Sequence, residues 1–164
     1  MNARTIADNL ARHFSPIDRC SVRDDIDESS LFSSILRGEL PLPPAAALLG
    51  LQIEHATRGS VALSCQAGAA FLNPAGHVQG GMLSAMLDEA LSIAALSALG
   101  QGEYVVTLEM KVQFIGAATP GALHAQGRLV HRGGRIAFVE GELRQDGQLV
   151  ARATATVLVR SQRG

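Results

Sequence analysis

Residues 81–99 read Gly-Met-Leu-Ser-Ala-Met-Leu-Asp-Glu-Ala-Leu-Ser-Ile-Ala-Ala-Leu-Ser-Ala-Leu. Leu83, Met86, Leu87, Ala90, Leu91, Ala94 and Ala95 recur at the i, i+3, i+4, i+7 spacing of an α-helix. Gly100-Gln101-Gly102 stops it. Between Gly80 and Gly102 the only charged residues are Asp88 and Glu89. A helix that is apolar nearly all round must be buried, so the rest of the chain has to supply a layer that wraps it.

The flanking segments supply strands. Upstream, residues 45–50 suit a short helix closed by Gly50, and residues 51–55 and 60–66 suit two strands joined at Thr57-Arg58-Gly59. Downstream, Leu108, Met110, Val112 and Phe114 alternate with Thr107, Glu109, Lys111 and Gln113, the pattern of a half-buried strand. Residues 122–132, 135–145 and 148–160 follow as strands, with Gly133-Gly134 and Asp146-Gly147 as hairpin turns at positive φ. On the last strand Leu149, Ala151, Ala153, Ala155, Val157 and Val159 share a face, and the alanines leave room for a close-lying helix. The expectation is an α+β domain over residues 41–164: a six-stranded antiparallel sheet around one long helix. Residues 1–40 read as a partly helical N-terminal arm, with a charge run from Arg23 to Glu28 and a helix candidate over residues 31–36. Prolines at 41, 43 and 44 end any helix there.

Composition excludes several classes. The 164 residues are 47% hydrophobic and 18% charged, enough apolar material for a core and too little charge for disorder. Aromatics are 4%, and 14 Lys+Arg stand against 15 Asp+Glu. That balance lacks the basic, aromatic footprint of a nucleic-acid binder. Cys20 and Cys65 form no CxxC, so neither a disulfide framework nor a cysteine zinc site is expected, and a reducing cytoplasm is. The histidines show no metal-ligand spacing. The first residues lack the apolar run of a secretory signal. The longest uncharged stretch, between Arg58 and Asp88, carries Gln66, Asn73, Pro74, His77 and Gln79, so no membrane span is expected.

The chemistry concentrates in Asn73-Pro74-Ala75-Gly76-His77-Val78-Gln79-Gly80-Gly81 and the helix after it. A helix N-terminus offers free N–H donors and a positive dipole end. Without a side chain at Gly80, a ligand oxygen can approach the backbone and an oxyanion can be stabilised there. Asp88 is a carboxylate on a helix expected to be buried, expensive unless paired or used. Ser84 and Ser92 lie four residues to either side of it. Eight residues of helix separate Gly80 from Asp88 by roughly 12 Å, so one carbonyl cannot touch both on the same helix. If they act together, two antiparallel helices across a two-fold axis must bring Gly80 of one copy to Asp88 of the other, which implies at least a dimer. Each piece alone has an ordinary reading. The Asn73 run is then a turn, the glycine pair serves helix packing, and Asp88 pairs with an arginine.

Together these residues resemble a family. Asn-Pro-x-Gly-x-x-x-Gly-Gly, with Asp seven positions after the second glycine, resembles the hotdog-fold acyl-CoA thioesterases, most of all their phenylacetic-acid-degradation branch. The likeness runs over about residues 41–160 in element order. It implies Asp88 as the catalytic carboxylate, either general base or nucleophile, the Gly80 N–H polarising the thioester carbonyl, and Asn73 orienting the attacking water. Thr107 matches a Ser or Thr that assists in that branch. Most members have His where this chain has Gln79, which cannot carry a proton. Gly81, Arg132 and Arg135 would contact coenzyme A, itself part of the substrate, so no separate cofactor is expected. For the two arginines a solvated turn is the ordinary alternative.

Three functions are consistent with this reading. The first is an acyl-CoA thioesterase acting as a dimer or a dimer of dimers. The second is a hotdog module that holds acyl-CoA without hydrolysing it, suggested by Gln79. The third is a dehydratase on 3-hydroxyacyl thioesters, which would need a His paired with the acid.

Overall fold

The computed structural model describes residues 21–22 and 25–161. Most of the arm expected over residues 1–40, including Cys20, lies outside them. Six antiparallel strands wrap one long helix. They are β2 (Gln52–Thr57), β3 (Ser60–Ala67), β4 (Glu103–Phe114), β5 (Gly121–Arg132), β6 (Ile136–Gln145) and β7 (Gln148–Ser161). The short β1 (Ser21–Val22) adds a parallel seventh strand beside β2, giving the order β1-β2-β3-β5-β6-β7-β4. Ahead of the sheet come α1 (Leu31–Leu36), capped by the Ser30 hydroxyl on the Ser33 N–H, and α2 (Pro44–Leu48), which ends at Gly50 with φ of 61°.

The wrapped helix is α3 (Gly80–Leu96). Leu83, Met86, Leu87, Ala90, Leu91, Ala94 and Ala95 are all buried against the sheet, as the periodicity predicts. Ala151, Ala153 and Ala155 of β7 are buried too. The tightest approach falls elsewhere, at Gly127 of β5 and its cross-strand partner Gly141 of β6. A methyl on Gly127 would run into the Ala90 carbonyl, and one on Gly141 would lie 2.5 Å from the Gln126 oxygen and 3.0 Å from Leu91. The far end of α3 is tied down by buried Ser97, whose hydroxyl accepts from the Gly59 N–H at 2.8 Å and donates to the Thr57 carbonyl at 3.0 Å.

Several expectations need correction. The helix starts one residue earlier than expected and leaves α geometry at Ser97. Strand β4 begins at Glu103, not Thr107. Its simple alternation is broken by a bulge between Thr107 and Glu109. Leu108 is the extra residue and is 55% exposed, so it does not share the buried face with Met110. Facing α3 are instead Val105, Thr107, Met110, Val112 and Phe114, opposite Val159, Val157, Ala155, Ala153 and Ala151 of β7. Gly133 and Gly134 have no positive φ. Residues 133–135 form a three-residue connection in which the Gly133 N–H reaches the Ile136 carbonyl at 2.8 Å. Asp146 and Gly147, with φ of 48° and 78°, make the expected tight turn.

The two ends of the sheet differ. Strand β2 pairs along its length with β3 and, at His55 and Ala56 only, with the edge strand β1. Among the described residues strand β4 pairs only with β7, leaving one side of this twelve-residue strand unpaired.

Candidate active site

The loop before α3 is held by its own side chain. Asn73 Oδ1 accepts from the Ala75 N–H at 2.9 Å and the His77 N–H at 3.2 Å, and Gly76 supplies the positive φ of 80° that the turn requires. The Gln79 N–H donates to the Phe71 carbonyl at 2.8 Å, fixing where the helix begins. The Asn73 side-chain N–H groups have no acceptor among the described residues.

Gln79 is the N-cap of α3, and its carbonyl takes the Met82 and Leu83 N–H groups. Its side chain makes no capping bond and stays exposed. The Gly80 and Gly81 N–H groups find no acceptor among the described residues. No acidic side chain occupies the first turn. Two free donors at the positive end of a seventeen-residue helix are suited to a developing oxyanion. Phe114, at the end of β4, lays its ring against Gly80.

Two turns further on, Asp88 is half-buried. It is not paired with an arginine among the described residues. Its Oδ1 accepts from the Thr107 hydroxyl at 2.8 Å, and Ser92 Oγ stands 3.5 Å from that same hydroxyl. The bulge at Leu108 makes this possible, because it turns Thr107 onto the same face as Met110. Ser84 takes no part and donates to the Gly80 carbonyl at 2.9 Å. Asp88 thus faces β4, the strand with an unpaired side.

Sequence reasoning passed over Glu89. This neighbour of Asp88 is half-buried with no ion pair or hydrogen bond among the described residues. Burial, helped by the Asp88 charge, pushes its carboxyl above the usual range. Its place on a helix with one other charge was the available signal. Burial also pushes the Cys65 thiol up to about 12, which removes it as a nucleophile near neutral pH.

The two arginines part ways. Arg132 pairs with Glu103 at 2.8 Å and reaches the Ala98 carbonyl at 3.3 Å, closing the C-terminal end of α3. That is roughly 25 Å along the helix from Gly80. Arg135 is exposed, and its guanidinium has no partner among the described residues. Two grooves, of about 780 and 530 Å³, lie on the outer sheet face, and neither is lined by Asn73, Gly80 or Asp88. Among the described residues no three His, Cys, Asp or Glu side chains gather to hold a metal, and no helix is long and apolar enough to cross a membrane.

Comparison with known proteins bears on the family and the fold. Residues 75–151 match the family profile of the thioesterase superfamily. A phenylacetic acid degradation-related protein from Ralstonia eutropha, itself a proposed thioesterase, is 44% identical over 77% of this chain and 98% of its own, with a TM-score of 0.76. A thioesterase family protein from Silicibacter pomeroyi is 25% identical over 79% of this chain and 98% of its own, with a TM-score of 0.72. A conserved Pseudomonas aeruginosa protein is 29% identical over 73% and 95%, with a TM-score of 0.67. No curated protein matches significantly. With the wrapped helix, the sheet and these likenesses together, the chain belongs to the hotdog-fold thioesterase superfamily, as a thioester hydrolase.

Proposed function

We propose that the protein hydrolyses an acyl-CoA thioester to the free acid and coenzyme A, at sites shared between two copies. The observation that carries this is the bond from Thr107 to Asp88, on the side of α3 that faces β4, whose outer side has no partner strand among the described residues. Thr107 occupies Oδ1 and leaves Oδ2 for water. In this reading Asp88 of one copy takes a proton from water as that water attacks the carbonyl carbon. The Asn73 amide of the other copy orients the water, and the Gly80 N–H of that copy holds the oxyanion. The tetrahedral intermediate collapses by breaking the C–S bond, and coenzyme A leaves as its thiolate, protonated from the medium or by Asp88. If Asp88 attacks the carbonyl carbon directly instead, the C–S bond breaks, coenzyme A leaves as its thiolate and an anhydride forms, which water then hydrolyses to the free acid and the Asp88 carboxylate.

Gln79 positions without titrating, which leaves Asp88 as the one proton carrier of the constellation. For the phosphates of coenzyme A, the exposed Arg135 is the stronger candidate, because Arg132 is already engaged by Glu103. Antiparallel helices would carry Arg135 of one copy toward the Gly80 end of the other. Gly81 contributes its free N–H. A cytoplasmic, homo-oligomeric enzyme fits this reading.

The test is a panel of straight-chain and aryl acyl-CoAs. Wild type is expected to turn over at least one member, and Asp88→Asn to lower kcat about 100-fold or more with the fold intact by circular dichroism. Unchanged kcat in the variant would sink the assignment. Gln79 also favours a second reading, an acyl-CoA-binding module. Tight binding with no turnover by the wild type would select it.

A further inference from the structure

Phe114 stands where the proposed chemistry needs space. It closes β4 on the face turned toward α3, opposite the buried Ala151 of β7. Three of its ring carbons lie 3.1 to 3.4 Å from the point where a Cβ on Gly80 would sit. The ring is 55% exposed, so it is not there to fill the core. It borders the Gly80 N–H, a donor with no acceptor among the described residues. Along the same face of β4, the half-buried Val112 and Met110 continue from Phe114 toward Thr107 and Asp88. An apolar wall therefore runs along this chain from the free N–H, which serves one shared site, toward the carboxylate, which serves the other.

Gly80 is consequently constrained twice. Its N–H must be reachable, and its missing side chain is the space taken by the Phe114 ring. A carbonyl oxygen accepting from that N–H lies about 2.9 Å from the nitrogen. With the coenzyme A sulfur turned away from Gly80, the carbon next to that carbonyl is the substituent brought toward whatever packs on Gly80.

We propose that Phe114 is a specificity-determining residue whose ring is the wall met by the carbon adjacent to the thioester carbonyl, so that the site takes acyl groups unbranched at that carbon. This rests on the hydrolytic reading above. A methyl group that fits or clashes in a packed site is worth roughly 10–200-fold in selectivity.

The experiment compares kcat/KM for butanoyl-, 2-methylpropanoyl- and 2,2-dimethylpropanoyl-CoA. Wild type is expected to prefer the unbranched substrate by about tenfold or more. Phe114→Ala should shrink that ratio about tenfold, while Phe114→Tyr should keep it. Phe114→Leu, expected to fall between them, replaces the alanine variant should the latter fail to fold. A merely structural role would lower all three substrates together and leave the ratio alone. An unchanged ratio in Phe114→Ala or Phe114→Leu, or a wild type indifferent to branching, overturns the proposal. Failure of the hydrolytic reading looks different: wild type then turns over none of the three substrates, and the specificity proposal falls with it.

Discussion

At the scale of single residues, the proposed site rests on one hydroxyl and one carboxylate meeting across two elements. A hydrogen bond to a charged group contributes about 1.5–3 kcal/mol. Thr107→Val is therefore expected to lower kcat about tenfold or more, and Thr107→Ser to keep most of it; steady-state kinetics across pH would read both. Equal rates in all three proteins would show that the Thr107–Asp88 bond is idle. Glu89 makes a prediction about stability. Burial holds its carboxyl above the ordinary range, so the folded protein binds that proton more tightly than the unfolded chain does. The resulting stabilisation is complete below the unfolded pKa and is lost as pH rises through the raised folded value. Glu89→Gln should accordingly melt above wild type near neutral pH and lose that advantage in acid, as thermal unfolding from about pH 4 to pH 8 would record. A variant that melts no higher at neutral pH contradicts this. Asp88 and Gly80 were legible in the sequence because a lone carboxylate on an apolar helix, or a glycine pair at its start, stands out against composition. Phe114 was not, since nothing in its neighbours reveals that its ring ends against Gly80.

Among the elements, the bulge in β4 and the two glycines under α3 decide how the site is presented. The bulge escaped the sequence because Leu108 is apolar and keeps the alternation of apolar and polar residues unbroken on paper; the extra residue shows only once β7 supplies the register. Gly133-Gly134 was misleading for a related reason. Permissive residues allow positive φ without demanding it, and a three-residue connection satisfies the strands. Asp146-Gly147 was readable because a two-residue link between two strands leaves few other conformations. The helix itself was the most legible element, its seven periodic positions all being buried. How close it lies to the sheet was ascribed to alanines on β7, yet Gly127 and Gly141 set it. Gly127→Ala should destabilise the fold by about 1–3 kcal/mol or more, because the methyl meets backbone that cannot swing aside. Urea denaturation measures this, and a midpoint equal to wild type would mean α3 can lift away at no expense.

For the molecule as a whole, the shared-site reading has a signature that no single-chain site can mimic. Asp88→Asn and Asn73→Ala are each expected to be inactive alone. Refolded together in equal amounts, half the dimers are mixed, and each mixed dimer contains one site with both residues intact. About a quarter of wild-type activity should return. No recovery above the separate variants would place both residues in one chain's site and remove the argument for a dimer. The fold was readable at this scale because a helix with so little charge needs a complete wrapping. A partner copy is an inference from helix length alone, since one chain cannot show what the open side of β4 meets. The unpaired side of β4 and the occupied side of β2 have a consequence of their own. A sheet open on both sides is a bifunctional unit, and bifunctional units grow by repeated addition into fibres. Here β1 covers the outer side of β2 only at His55 and Ala56, and β4 is the long free edge among the described residues. Pairing β4 of one copy with β4 of another uses up that edge in both, which favours a closed pair over a fibre.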